Sequence, residues 1–166
     1  MTRLATLAGT VLGIGYLKPA PGTWGSLAAL PLGYALHQLG GFPLMLLAIA
    51  ALFILGLWAT RVMTQGKTDH DPSEIVMDEV VGQLIAILPL SYPAWAHGID
   101  ILALWPGWIT AFVLFRLFDI TKPGPVGLAD KRNDALGVML DDVFAGLIAA
   151  SGVLLAAGLA HGVLGI

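Results

Sequence analysis

The sequence contains no cysteine and few charged residues. Without cysteine the chain has no disulfide bonds, no thiolate metal site and no cysteine nucleophile. Charged residues make up 11% of the chain, whereas soluble domains carry roughly a quarter. Hydrophobic residues make up 57%, with a mean hydropathy of +0.85. Too few polar residues remain to cover the surface of a soluble fold, so the composition predicts an integral membrane protein.

The stretches without charge indicate where the chain crosses the membrane. A bilayer core of about 30 Å takes roughly 20 helical residues. About five stretches fit, namely residues 24–39, 42–62, 80–99, 101–118 and 143–166. Pro89 and Pro93 interrupt the third, which leaves open whether it crosses fully. Lipid offers no partner to free backbone groups and the sequence has no barrel-like alternation, so we expect an all-α polytopic protein, with residues 1–166 as one domain.

The basic residues indicate an orientation. With five spans, all eight lysines and arginines fall on one side of the membrane. Cytoplasmic loops are enriched in such residues, so this charged side is predicted to face the cytoplasm, with the C-terminus outside.

The acidic residues collect on the same side, with the exception of Asp100. Two adjacent pairs stand at the predicted starts of apolar helices: Asp78 with Glu79, and Asp141 with Asp142. One acid in a first helical turn complements the helix dipole, but a second adds repulsion unless a cation lies nearby.

Two such pairs at one membrane face predict an oxygen-rich pocket for a hard divalent cation, Mg²⁺ before others. The lack of cysteine argues against zinc, as does the presence of only His70 among the histidines on this face.

Cations close to these acids suggest an anionic ligand. Arg116 and Asp119 lie three residues apart and so share a helix face, and Lys122 stands where Pro123 stops that helix. Arginine binds phosphate with a planar fork and lysine with a point charge. Simple anchoring at the membrane surface is the alternative for both cations.

The segment "PAPGTWGS", residues 19–26, precedes the first apolar helix on this same side. Its small residues, with the hydroxyls of Thr23 and Ser26, would leave backbone N–H groups free for an anion. A plain helix start capped by Thr23 explains the segment almost as well.

Four ordered motifs, "PGTWGS", "IVMDEVVGQ", "FRLFDITKPGP" and "DDVFAG", resemble the phosphatidylglycerophosphatase A family. Members of that family are bacterial inner-membrane lipid phosphatases that use Mg²⁺ to remove the terminal phosphate of phosphatidylglycerophosphate. The resemblance implies that the chain lies in the bacterial inner (plasma) membrane with its active site towards the cytoplasm, and acts on a phospholipid.

The resemblance also implies roles for particular residues. Catalytic roles fall to the acid pairs and to Arg116. Metal ligands would come from Asp78, Glu79, Asp141, Asp142 and Asp119. The substrate phosphate would be bound by Arg116, Lys122, Arg132, Thr23 and Ser26. Gln83 is implicated by its place in "DEVVGQ".

Three other functions fit parts of the sequence. A small transporter or ion-binding protein could use the acidic clusters as ion ligands, although such ligands usually lie near the bilayer midplane. A histidine-based lipid phosphatase needs two histidines on one face, where this chain offers His70. The segment "DHDPS", residues 69–73, imitates an Asp-x-Asp phosphatase motif without the buried strand that should precede it.

The five-span arrangement makes a prediction about the C-terminus. A topology reporter fused after Ile166 should read as external, because five crossings carry a chain with a cytoplasmic N-terminus to the outside. A cytoplasmic reading would mean an even number of crossings, and the third segment would then enter and leave on one side.

Overall fold

The computed structural model describes residues 2–67 and 71–160, and within these ranges all regular structure is helical. Asp69, His70 and the end of the last predicted span, residues 161–166, lie outside the described residues. The helices are α1 (Thr2–Gly9), α2 (Pro21–Thr64), α3 (Met77–His97), α4 (Trp105–Thr121), α5 (Pro125–Asp130) and α6 (Ala135–Leu159), with 3-10 turns at Ile14–Tyr16 and Ile101–Leu104. The predicted all-α class is confirmed.

Helix α2 consists of two arms that meet at Gly41, whose φ of 63° and ψ of −156° are not helical. Gly25 packs against Val76 at the start of α3, and Gly41 packs against Trp95 near its end. Gly56 packs against Met77, which lies again at the start of α3. The chain therefore runs along α3 and reverses at Gly41, between the predicted spans 24–39 and 42–62. We call residues 21–40 the first arm and residues 42–64 the second arm.

Helix α3 lies at the centre of the bundle, in contact with α2, α4 and α6. Most of its side chains are buried, including the fully enclosed Leu84, Ile87 and Gln83. Near its far end, Ser91 Oγ lies 2.8 Å from His37 Nδ1 of the first arm. The ring of Phe42 packs there against Tyr92 and Trp95, so the reversal of α2 lies beside the end of α3.

Among the described residues, three helices are long and apolar enough to cross a membrane: Pro21–Thr64, Ile101–Thr121 and Ala135–Leu159. In their most apolar windows only 17%, 17% and 28% of the residues are buried. Apolar helices that expose most of their surface suit a lipid environment. Helix α3 is not one of the three, and the count of about five crossings stays a prediction.

The last long helix begins earlier than the sequence suggested, at Ala135 instead of residue 143. Asp134 caps it, because its Oδ1 accepts a hydrogen bond from Gly137 N at 2.7 Å. Asp141 and Asp142 consequently lie in the second turn, and their expected position at the helix start is wrong. Asp78 and Glu79 do lie in the first turn of α3.

Helices α3 and α6 approach each other most closely at two glycines. A Cβ atom added to Gly146 would lie 2.4 Å from Gly82 O, and one added to Gly82 would lie 2.6 Å from Asp142 O. Small residues at such crossings let two helix backbones come together. Each glycine follows an acidic pair by one helical turn, so this contact also brings the two pairs together.

This crossing makes a stability prediction. Gly146→Ala should lower the free energy of unfolding by about 1–3 kcal/mol, because the new methyl group overlaps backbone that cannot move aside. Gly158→Ala is the matched control, since a Cβ at Gly158 meets nothing within 4 Å. Thermal unfolding in one detergent compares the two variants, and equal unfolding temperatures would show that the crossing is not tight.

Candidate functional site

Four helix ends meet on one side of the bundle, where the first turns of α2 and α3 and the second turn of α6 face the end of α4. An open cleft of about 350 Å³ lies there. Its lining is Ala20, Pro21, Gly22, Asp71, Ser73, Ile75, Glu79, Arg116, Asp119, Ile120 and Lys122. Most of the predicted site residues are therefore on this cleft or next to it.

Three carboxylates form the most compact group at the site. Asp78, Glu79 and Asp142 each offer an oxygen that lies within 4.8 Å of the other two. Asp78 and Asp142 are only 5% and 3% exposed. Glu79 Oε2 and Asp142 Oδ1 are buried without a hydrogen-bond partner among the described residues.

Buried carboxylates at this spacing repel one another, and each unpartnered oxygen has lost its water. A bound cation would remove both costs, and several carboxylate oxygens are the ligands that hard divalent cations prefer. The three residues therefore fit a divalent metal ion.

Asp141 belongs to a different arrangement from its neighbour. Its Oδ1 accepts from Asp142 N at 2.9 Å, while its Oδ2 accepts from Lys122 Nζ at 3.0 Å. Lys122 also donates to Asp130. Partial burial opposes the charge of Lys122, but its hydrogen bonds to Asp130 and Asp141 raise the pKa of the amine. A charged Lys122 therefore links α4, α5 and α6.

Lys122 reaches this position because the chain turns sharply at the end of α4. Its φ of 46° and ψ of 53° place it in the left-handed region, which a residue other than glycine adopts at a cost. The hydrogen bonds to Asp130 and Asp141 offset that cost and aim the ammonium group at the cleft.

Arg116 spans from α4 to the first arm of α2. Its Nη1 donates to Asp119 Oδ2 and, at 3.4 Å, to Ser26 Oγ. Ser26 in turn donates to Gly22 O at 2.8 Å. Arg116 Nε is buried and has no hydrogen-bond partner within the described ranges, so one donor is left for a ligand. Asp119 also acts electrostatically on Glu79 and Asp142.

Gly22 belongs to the segment "PAPGTWGS", which the sequence indicates as an anion site, but its contact with Glu79 and Arg116 was not predicted. A Cβ atom there would lie 2.1 Å from Glu79 Oε1 and 3.2 Å from Arg116 Nη1. The missing side chain thus lets the first turn of α2 approach an acid and a cation together, with the unpaired N–H groups that every helix start carries. Since α2 begins at Pro21, Thr23 lies inside the first turn and does not cap the helix.

Two further residues depart from expectation. Arg132 does not line the cleft; it binds Asp134 at 3.1 Å and lines a separate cavity with Arg61. Asp71, which is not among the predicted site residues, does line the cleft and acts electrostatically on Asp78 and Asp141. Asp71 belongs to the segment "DHDPS", which lacks the buried strand expected before an Asp-x-Asp motif, so the sequence offers no reason to place it at the site.

Fold and site together define an all-helical protein with helices apolar enough to span a membrane and an acidic group that could bind a metal ion. A family model described as Phosphatidylglycerophosphatase A matches residues 7–157. The Haemophilus influenzae protein named "Phosphatidylglycerophosphatase A" is 39% identical over 139 residues, covering 82% of this chain and 78% of the relative. The Escherichia coli protein of the same name is 33% identical over 140 residues, covering 83% and 74%.

A third relative carries a different name. The Bacteroides thetaiotaomicron protein named "Putative phosphatidylinositol-3-phosphatase" is 38% identical over 149 residues, covering 87% of each chain. No solved structure matches the chain. The chain belongs to the phosphatidylglycerophosphatase A family, and it is a phosphoric monoester hydrolase. Membership of an enzyme family does not favour the transporter alternative.

Proposed function

We propose that the protein hydrolyses the terminal phosphate monoester of phosphatidylglycerophosphate, giving phosphatidylglycerol and phosphate, with Mg²⁺ as cofactor. The observation that carries the proposal is the buried carboxylate group of Asp78, Glu79 and Asp142 beside the guanidinium of Arg116, at the end of apolar helices. The names of two relatives indicate which lipid headgroup is the substrate. Lipid phosphate groups lie at the membrane surface, where the ends of membrane-spanning helices would also lie.

The metal would be held by Asp78, Glu79 and Asp142, with Asp119 or Asp141 as further oxygen donors from α4 and α6. When bound, Mg²⁺ would offset the negative charge of the phosphate oxygens and of the transition state. Mg²⁺ fits because every candidate donor is a carboxylate oxygen and the described site contains neither cysteine nor histidine.

Residues of the chain would bind the phosphate from the opposite side. Arg116 presents its unpartnered Nε, and Asp119 and Ser26 hold the guanidinium in place. Lys122 adds a fixed positive charge, and the free N–H groups at Gly22 and Thr23 add donors. A carboxylate of the group would accept a proton from the attacking water as the water oxygen forms its bond to phosphorus. The bond from phosphorus to the lipid oxygen would then break, and that oxygen would take up a proton to leave as the hydroxyl of phosphatidylglycerol.

The lipid tails would lie along α4. From the cleft residue Ile120, exposed apolar side chains continue at Leu117, Val113 and Ile109, one helical turn apart. Their side chains are 69%, 48%, 54% and 56% exposed, respectively. A substrate could keep its acyl chains against this stripe while its phosphate enters the cleft.

The same proposal includes five crossings. The two arms of α2 would each cross once, since Gly25 and Gly56 lie near one end of α3 and Gly41 near the other. Helices α3, α4 and α6 would supply the rest, with α3 shielded from lipid by its neighbours. The cleft would then face the cytoplasm of a bacterium, on the side that carries the lysines and arginines.

The direct test is phosphate release by purified protein from phosphatidylglycerophosphate, with Mg²⁺ and with a chelator. We expect turnover only with the metal, and faster turnover than on phosphatidylinositol 3-phosphate, the substrate suggested by the name of the Bacteroides relative. Faster release from the inositol lipid would reassign the substrate, and no release from either lipid would refute the proposal.

The acidic group makes a prediction about catalysis. Asp78→Asn, Glu79→Gln, Asp141→Asn and Asp142→Asn should each lower turnover at least about a hundredfold, about 2.7 kcal/mol of transition-state stabilisation. Asp100→Asn is the control, because Asp100 caps the 3-10 turn at the other end of the bundle. Unchanged rates in the four variants would mean that the reaction uses another site.

Arg116 makes a second prediction, because lysine can anchor a helix at the membrane surface but cannot copy a planar fork. Arg116→Lys should keep the folded protein stable yet lower turnover at least about tenfold, about 1.4 kcal/mol. Arg116→Ala should lower it further. Steady-state hydrolysis in detergent and thermal unfolding of the same samples measure both effects. A normal rate for Arg116→Lys would leave Arg116 with an anchoring role alone.

A further inference from the structure

A second cavity, of about 450 Å³, lies between the end of the second arm of α2 and the start of α6. Its lining is Arg61, Thr64, Gln65, Gly66, Arg132, Asp134, Ala135 and Leu136. It shares no lining residue with the acidic cleft. The proposed reaction therefore makes no use of this cavity.

The charged side chains of this cavity leave an excess of positive charge. Arg61 and Arg132 contribute two guanidiniums, and Asp134 contributes one carboxylate. Asp134 accepts from Arg132 Nη2 at 3.1 Å and from Gly137 N at 2.7 Å. The hydrogen bond from Arg132 and the one from Gly137 lower the pKa of Asp134, and the charge of Arg61 lowers it further. Asp134 is thus ionised and occupied as a helix cap.

Apolar side chains approach this cavity along one face of the second arm. Ile54, Trp58 and Arg61 follow one another at single helical turns, and Ile54 is 68% and Trp58 37% exposed. Tryptophan favours the boundary between lipid tails and headgroups. The order from Ile54 through Trp58 to Arg61 therefore runs from the apolar interior of a membrane to its headgroup level.

We propose that this cavity binds the phosphodiester headgroup of an anionic phospholipid, with the acyl chains along Ile54 and Trp58. Two guanidiniums, one from the last turn of α2 and one from the turn between α5 and α6, can bind one phosphate from two directions, which a single snorkelling arginine at the surface cannot do. Basic pockets between helices at headgroup level are typical sites for such lipids. A phosphate group is the shared chemistry, and the apolar stripe favours a lipid over the free ion.

Native mass spectrometry of the detergent-purified full chain tests this with dioleoylphosphatidylglycerol as probe and dioleoylphosphatidylcholine as the neutral comparison. The variants are Arg61→Gln alone and together with Arg132→Gln. The single variant leaves the cap and its bond to Arg132 intact, so it folds if the wild type does. Arg3→Gln/Lys18→Gln is the matched control, since it removes two exposed cations that do not line the cavity. The Arg116→Ala variant shows whether the lipid binds in the acidic cleft, because its binding would then be lost.

We expect Arg61→Gln to weaken phosphatidylglycerol binding at least about tenfold, about 1.4 kcal/mol, and the double variant to weaken it further. The Arg3→Gln/Lys18→Gln control and the Arg116→Ala variant should bind phosphatidylglycerol as tightly as the wild type does. Binding of phosphatidylcholine should be the same in all variants. Binding retained by the double variant, or lost equally in the control, would overturn the proposal. So would loss in Arg116→Ala, which would place the lipid in the cleft. Inorganic phosphate displacing the lipid at millimolar concentration would reassign the cavity to the free ion.

Discussion

The close crossing of α3 and α6 is the constraint on which the site depends. Gly82 and Gly146 let the two backbones touch, and a side chain at either position would overlap main-chain atoms. Because each glycine follows an acidic pair by one turn, the contact forces Asp142 towards Asp78 and Glu79. Gly22 completes the arrangement by letting the first turn of α2 approach Glu79 and Arg116. Three missing side chains thus determine where the charged ones meet.

The electrostatics of the site follow from that forced proximity. Lys122 compensates Asp141, and Arg116 compensates Asp119. The group of Asp78, Glu79 and Asp142 has no lysine or arginine of its own within hydrogen-bonding distance among the described residues. Two buried carboxylate oxygens of this group have no hydrogen-bond partner there. Arg116 and Lys122 thus pair with carboxylates outside this group, and a divalent cation would offset most of the negative charge that Asp78, Glu79 and Asp142 bring together.

Much of this arrangement could be predicted from the sequence, because membrane composition and charge placement are strong signals. Hydropathy alone predicts the apolar runs and the reversal at Gly41. The placement of charge predicts which residues gather at one end, namely Asp78, Glu79, Asp142, Arg116 and Lys122. Helix starts were harder, since α6 begins at an Asp134 cap that resembles an ordinary loop acid. The sequence could not predict that Asp141 binds Lys122 while Asp142 joins the acidic group, because this depends on how Lys122 turns back from the end of α4. The position of Arg132 likewise depends on how two helix ends pack.

Asp78 and Glu79 of α3 and Asp142 of α6 form the acidic group that could bind a divalent cation. Titration of the purified protein with Mn²⁺ as a stand-in, followed by the electron paramagnetic resonance signal of the free ion, measures this without any substrate. We predict that Glu79→Gln/Asp142→Asn weakens Mn²⁺ binding at least about a hundredfold, about 2.7 kcal/mol, because one ligand is lost from each helix. Asp100→Asn should bind as the wild type does. Wild-type affinity in the double variant would contradict the account.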